Sequence, residues 1–264
     1  MAFARVNGIH LHYRLAGNAK GLPLVLANSL GTDARIWDEL IADLGDGYHV
    51  ISYDKRGHGL SDAPDGEYQL DEHIDDLAGL LAYLDVQRAV LAGVSVGGLI
   101  AQGFALRHPQ ILAGLILCDT APKVGSAAMW NDRIAAVRAD GLAAIAEGVM
   151  ARWFTEDFRR DRAIELAGWR NMFERMPAAG YIGTCATLRD ADISDQIGAI
   201  NVPTLVIAGA DDLSTPPDLV RDTASRIRGA RFEVIANCGH IPSIEQPQVL
   251  AAMFKHFIQQ VGHD

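Results

Sequence analysis

The stretch Ala89-Val90-Leu91-Ala92-Gly93-Val94-Ser95-Val96-Gly97-Gly98-Leu99-Ile100 decides how this chain folds. It opens as a short apolar run, passes through Gly-x-Ser-x-Gly, and continues into a segment, 96–108, that reads as a helix. Gly-x-Ser-x-Gly alone recurs by chance. Between a buried strand and a helix it describes a sharp, strained turn that lifts a serine hydroxyl above the end of a sheet. Ser95 is therefore the candidate nucleophile.

The surrounding sequence has the rhythm such a turn needs. Upstream, Pro23–Ala27 and Val50–Tyr53 are further apolar runs, alternating with helical spacing at Trp37–Leu44 and near Asp71–Leu84. Leu115–Leu117 follows the elbow helix as the next strand. Unbroken apolar strands joined by helices indicate a mostly parallel sheet covered on both faces. At the N-terminus, Phe3–Val6 and Ile9–Leu15 flank Asn7-Gly8, the turn signal of a β-hairpin.

After Pro122 the rhythm breaks. Residues 123–190 hold helical stretches at Met129–Arg138, Leu142–Phe154, Arg162–Phe173 and Tyr181–Leu188, and no convincing strand. Pro203–Ile207 resumes the strands, followed by a helix near 217–227, a strand at Phe232–Ile235 and a helix over about 247–260. The expected class is α/β, a twisted sheet with an inserted helical cap. Residues 1–122 and 191–264 form its core domain and 123–190 its cap domain.

Composition narrows the function. The chain has 264 residues, 49% hydrophobic and 21% charged, so it can bury a large core without disulfides or metals. The net charge is −10 and no Lys/Arg stripe runs along it, which argues against nucleic-acid or membrane partners. An anionic substrate then needs a local cation in its pocket. Cys118, Cys185 and Cys238 are too scattered for a disulfide framework. With no apolar signal stretch and no run of about 18 apolar residues, the expectation is a cytoplasmic protein. The sequence leaves room for a homo-oligomer without fixing the oligomeric state. His10 and His12 are the only close histidine pair; without an acidic neighbour in sequence they are expected as exposed strand polars, and no metal site is expected.

A serine nucleophile needs an imidazole base and a carboxylate to orient it. His240, in the loop Asn237-Cys238-Gly239-His240-Ile241-Pro242 after the last strand, is the candidate base. For the carboxylate, Asp212 is favoured because it stands at a strand end shortly before Pro216; Asp211 and Asp119, which also follow strands, are the alternatives. The order Ser, Asp, His suits an elbow of this type.

With these residues in place, nearly the whole chain resembles the α/β-hydrolase superfamily with a helical cap. The resemblance is carried by Tyr53-Asp54-Lys55-Arg56-Gly57-His58-Gly59-Leu60-Ser61, the Ser95 elbow, Asp212 and Gly239-His240. It implies that the Arg-Gly-His-Gly turn is structural and His58 not catalytic. Where most members carry His-Gly, this chain has Asn28-Ser29-Leu30-Gly31. That run, with Trp37-Asp38, Asp119–Gly125 and Trp130–Ile134, resembles the 3-oxoadipate enol-lactonases. The resemblance implies an oxyanion hole from the N–H groups of Leu30 and Val96, an anionic enol-lactone substrate, ester hydrolysis in aromatic-compound catabolism by the β-ketoadipate route, and no cofactor. A general carboxylesterase, a cofactor-free perhydrolase of haloperoxidase type, a C–C bond hydrolase and a non-catalytic receptor on the same fold are the other readings. Turnover of a simple ester excludes the receptor. For the substrate carboxylate, the cap offers Arg133, Arg138, Arg152 and Arg170; Arg133 is preferred, with Trp130 on its helix face and Trp153 as a second wall.

Overall fold

The computed structural model describes residues 2–262. Eight strands form one sheet: β1 (Ala2–Val6), β2 (Ile9–Gly17), β3 (Pro23–Ala27), β4 (His49–Tyr53), β5 (Ala89–Val94), β6 (Leu112–Cys118), β7 (Thr204–Gly209) and β8 (Arg231–Ile235). Their spatial order is β1-β2-β4-β3-β5-β6-β7-β8. The β1–β2 and β2–β4 pairings are antiparallel, and the remaining pairings are parallel. Every residue of β5, β6 and β7 is buried, which accounts for their unbroken Val, Leu, Ile and Ala runs. β8, at the edge, carries Arg231 and Glu233 instead, charges that discourage a further strand from docking.

Helices α1 (Asp38–Leu44), α2 (Leu70–Tyr83) and α3 (Val96–Arg107) connect the first strands. Between β6 and β7 the chain runs through α4 (Ala127–Trp153), α5 (Glu156–Asp161), α6 (Ala163–Glu174) and α7 (Ala178–Asp190). Gly141, at φ 75° and ψ 179°, breaks α4 into the two segments that the sequence suggests. The short α5 is an addition to that reading; Thr155 caps it by accepting a bond from the Phe158 N–H. Then follow α8 (Pro217–Arg226), α9 (Pro242–Glu245) and α10 (Pro247–Val261).

The inserted helices are fastened to the sheet's loops by close backbone packing. A Cβ on Gly180 of α7 would lie 2.1 Å from the carbonyl oxygen of Gly57, so only two glycines allow this approach. Nearby, the Tyr68 N–H donates to the Gly183 carbonyl at 3.1 Å, and Thr187 Oγ1 donates to the Tyr68 carbonyl at 2.8 Å. Among the described residues, no helix is long and apolar enough to cross a membrane.

His12 departs from the expectation of an exposed strand polar. It is 5% exposed and hydrogen-bonds through Nδ1 to Asp54 at 2.8 Å, under the ring of Phe3. His10 is exposed and pairs with Asp62 at 3.0 Å. Their acidic partners come from the loop after β4, 42 and 52 residues away in sequence. That loop folds over the end of β2 and covers only the inner histidine.

Candidate active site

Ser95 stands between β5 and α3 at φ 58° and ψ −122°, a strained conformation for a residue with a side chain. Its neighbours make the turn feasible. A Cβ on Gly93 would sit 2.3 Å from the Gly97 carbonyl oxygen, and one on Gly97 would sit 2.2 Å from that of Ala27. The small residues of the motif are thus required by strand–helix contact, and the strain is held by the packed sheet beneath.

Asp212 lies just beyond β7 and is almost fully buried. Its Oδ2 accepts from His240 Nδ1 at 2.8 Å and from Thr215 Oγ1 at 2.6 Å, while Oδ1 accepts from the Ser214 N–H at 2.7 Å. Burial works against the charge, but His240 and these donors prevail and hold the carboxyl below the usual range. A bond from Nδ1–H leaves Nε2 of His240 as the acceptor that a serine hydroxyl needs.

The competing carboxylates are placed elsewhere. Asp211 is exposed and lines an outer cavity with Asn237 and Gln246. Asp119 is fully buried and accepts from the Gly209 N–H at 2.7 Å. Its carboxyl is pushed well above the usual range by burial and then by the negative charge of Asp212.

Ser95 and His240 open onto one small cavity of about 90 Å3, lined also by Ser29, Leu30, Trp130, Arg133, Trp153 and Tyr181. A wider cavity of about 650 Å3 lies behind the Gly31–Ala34 loop. Its charges largely pair with one another, Arg14 with Asp38 and Arg35 with Asp33, and neither Ser95 nor His240 reaches it. The small cavity is the one onto which both candidate residues, Ser95 and His240, open.

Among the described residues, the N–H groups of Leu30 and Val96 have no protein acceptor. Val96 is the first residue of α3, where a helix leaves its N–H groups free. The Leu30 loop is held from below: Asp54 accepts from the Ala34 N–H at 2.7 Å, and the Gly31 N–H donates to His58 Nε2 at 3.1 Å. His58 donates through Nδ1 to the Arg56 carbonyl at 3.1 Å, which fixes its tautomer, and burial keeps it neutral. Arg56 pairs with Asp76 at 2.6 Å and with Glu72, so it serves the turn.

The four cap arginines have different surroundings. Arg170 is bound to Glu174 at 2.7 Å and Glu147 at 3.2 Å, and Arg138 is exposed. Arg152, exposed at the cavity's edge, lies 3.5 Å from the Leu213 carbonyl. Arg133 is half-buried in the cavity wall, donates to Tyr181 Oη at 3.1 Å, and has no carboxylate partner among the described residues. Trp130 lies beside it with Nε1 bound to the Val124 carbonyl at 2.7 Å, leaving an apolar face to the cavity. Trp153 packs edge-on against Phe154 and Phe173.

Three residues of this site escape a reading of the sequence. Tyr181 aims Arg133, and Thr215 helps hold Asp212. Glu245 accepts from the Gly239 N–H at 2.9 Å and the Thr155 N–H at 3.1 Å, tying the histidine loop to the start of α5. Thr215 is detectable in principle, three residues after the favoured aspartate; the other two act over long sequence separations.

A mostly parallel sheet with a serine elbow after β5 and a helical excursion after β6 is the architecture of the α/β hydrolases. The chain belongs to this family: the family model for the alpha/beta hydrolase fold matches residues 23–247. It is 36% identical over 253 residues to 3-oxoadipate enol-lactonase 2 of Acinetobacter baylyi, covering 96% of this chain and 93% of that protein. The crystal structure of the enol-lactonase from Burkholderia xenovorans LB400 superposes with a TM-score of 0.95 at 36% identity, over 98% of this chain and 100% of that one. A thermophilic esterase from Thermogutta terrifontis superposes at 0.92 with 30% identity, over 98% of each chain.

Proposed function

We propose that this hydrolase opens a small anionic enol-lactone, 3-oxoadipate enol-lactone, to 3-oxoadipate. The observation that carries the reading is Arg133, a cation without a carboxylate partner among the described residues, in the cavity shared by Ser95 and His240. A buried carboxylate needs a hydrogen-bonding cation, and a planar guanidinium offers two parallel donors. Likeness to enol-lactonases from two organisms supports the same substrate class.

In this reading Ser95 Oγ attacks the lactone carbonyl while His240 Nε2 takes its proton and Asp212 steadies the imidazolium. The N–H groups of Leu30 and Val96 receive the oxyanion. The ring C–O bond then breaks, and the enol oxygen takes the proton from His240. Tautomerisation of that enol to a ketone removes the nucleophile that would reclose the ring. Water, deprotonated by His240, releases the acid from Ser95. No step requires a metal or an organic cofactor, so EDTA should leave turnover unchanged.

The test is a spectrophotometric assay with enzymatically generated enol-lactone, run beside a neutral chromogenic ester. Ser95→Ala should lower kcat by about 10⁶ while preserving the fold, and His240→Ala should do comparable damage. Preference for the neutral ester would replace the lactonase reading with a general esterase. Retention of more than about a hundredth of the activity by Ser95→Ala would rule out covalent catalysis.

A further inference from the structure

The N–H groups of Leu30 and Val96, which have no acceptor among the described residues, each belong to a peptide unit whose carbonyl lies on the preceding residue, Ser29 and Ser95. Both carbonyls are engaged by buried side chains. Ser29 O accepts from Lys55 Nζ at 2.6 Å and from Thr32 Oγ1 at 3.0 Å. Ser95 O accepts from Thr120 Oγ1 at 2.7 Å, in addition to the Leu99 N–H of its helix at 3.0 Å. Lys55, Thr32 and Thr120 are all buried.

We infer that Lys55 and Thr120 are positioning residues that polarise the two oxyanion-hole peptides from behind. The inference rests on the proposed role of Ser95 as nucleophile. In a trans peptide the C=O and N–H dipoles are aligned, so a donor on the oxygen draws electron density away from nitrogen. The N–H on the other side becomes a stronger donor, as in any cooperative hydrogen-bond chain. A lysine is a costly means of loop closure, because burial disfavours its charge. Asp54 and Asp33 oppose that effect without cancelling it, so the Lys55 pKa lies well below the ordinary lysine value. Geometry directs the group: Lys55 Nζ donates to the carbonyls of Asn28 and Ser29, in the loop that carries the Leu30 donor.

The experiment uses Lys55→Met, Thr120→Val and Thr120→Ser in the full chain. The probes are a chromogenic ester and an aryl trifluoromethyl ketone. The ketone carbon bonds to Ser95 Oγ, its carbonyl pair becomes the oxyanion, and the serine proton passes to His240. Lys55→Met and Thr120→Val should each lower kcat by about tenfold or more, less than the 10²–10³ for loss of a whole donor. KM and affinity for the carboxylate product should stay level. Ketone affinity should fall by the same factor as kcat, and Thr120→Ser should restore both. Unchanged kcat and ketone affinity would overturn the inference, as would a parallel loss of ketone and product affinity. If Lys55→Met does not fold, the Ser29 carbonyl-carbon NMR resonance of the wild-type protein decides the lysine's part: a downfield shift is expected, and an ordinary position overturns it. Wild-type protein that neither turns over the ester nor bonds the ketone would sink the proposed function instead.

Discussion

The buried carboxyl of Asp119 lies against the charge of Asp212, yet only Asp212 meets the imidazole of His240. Asp119 is spent on the Gly209 N–H, at the end of the strand that delivers Asp212. Asp212→Asn should lower kcat by about 10⁴, because the amide favours the wrong histidine tautomer. Asp119→Asn should stay within a few-fold of wild type, since an amide oxygen can still accept from Gly209. Steady-state kinetics on the neutral ester would show it; the reverse ranking would give Asp119 the orienting role.

The same pair sets a pH dependence of stability. Burial and Asp212 raise the folded-state pKa of Asp119 above its unfolded value. Its contribution is therefore fully present below the ordinary carboxyl value of about 3.9 and is lost as pH rises through the folded value. Asp119→Asn removes that loss, so the Tm of the variant relative to wild type should climb from about pH 4 towards neutrality. A Tm difference that is flat over this range, measured by scanning fluorimetry, would mean that Asp119 ionises normally.

Arg133 makes its case through a split between substrates. A hydrogen bond to a charged group contributes about 1.5–3 kcal/mol, so Arg133→Ala should raise KM for the enol-lactone roughly 10- to 100-fold. Turnover of a neutral ester should change little. Equal losses on both substrates would assign Arg133 to holding α4 and Tyr181 in place; no loss on either would move attention to Arg152.

Glu245 links two loops whose N–H groups have few other acceptors. Removing its carboxylate in Glu245→Ala leaves the Gly239 and Thr155 N–H groups short of partners, at about 1–3 kcal/mol each. Both Tm and kcat should fall, because the loop that loosens carries His240. Thermal melts alongside esterase rates will check this: a lower Tm with undiminished kcat would show that the loop keeps its geometry without the glutamate.

What was legible in the sequence follows from how locally each feature is determined. The elbow at Ser95 is written in five consecutive residues and their flanking periodicity, and the break at Gly141 in a single glycine. The position of Asp212 shortly before Pro216 favours it over Asp119 and Asp211, and in the structure Asp212 is the one of the three that hydrogen-bonds His240. The cap arginines differ mainly through partners distant in sequence. Arg170 is taken up by Glu147, 23 residues away, and Arg133 is aimed by Tyr181, 48 residues away. The burial of His12 is likewise not written locally, since the loop that covers it begins only after β4.

The His240 N–H donates to the Trp153 carbonyl at 2.8 Å, and a Cβ on Gly239 would come within 2.6 Å of that oxygen. The last turn of α4 is therefore part of the mounting of the imidazole as well as a wall of the cavity. This divides the insertion into two regimes of mutational freedom. Trp130 and Arg133 bond to Val124 and Tyr181 and not to the histidine loop, so substitutions there should act on the cavity before they act on His240. Around Trp153, Phe154 and Thr155, any backbone shift travels straight to His240. A chimera that grafts a relative's helices onto this sheet should retain activity when the junction lies before Val149, and lose it when the junction passes beyond Thr155 without its matching histidine loop.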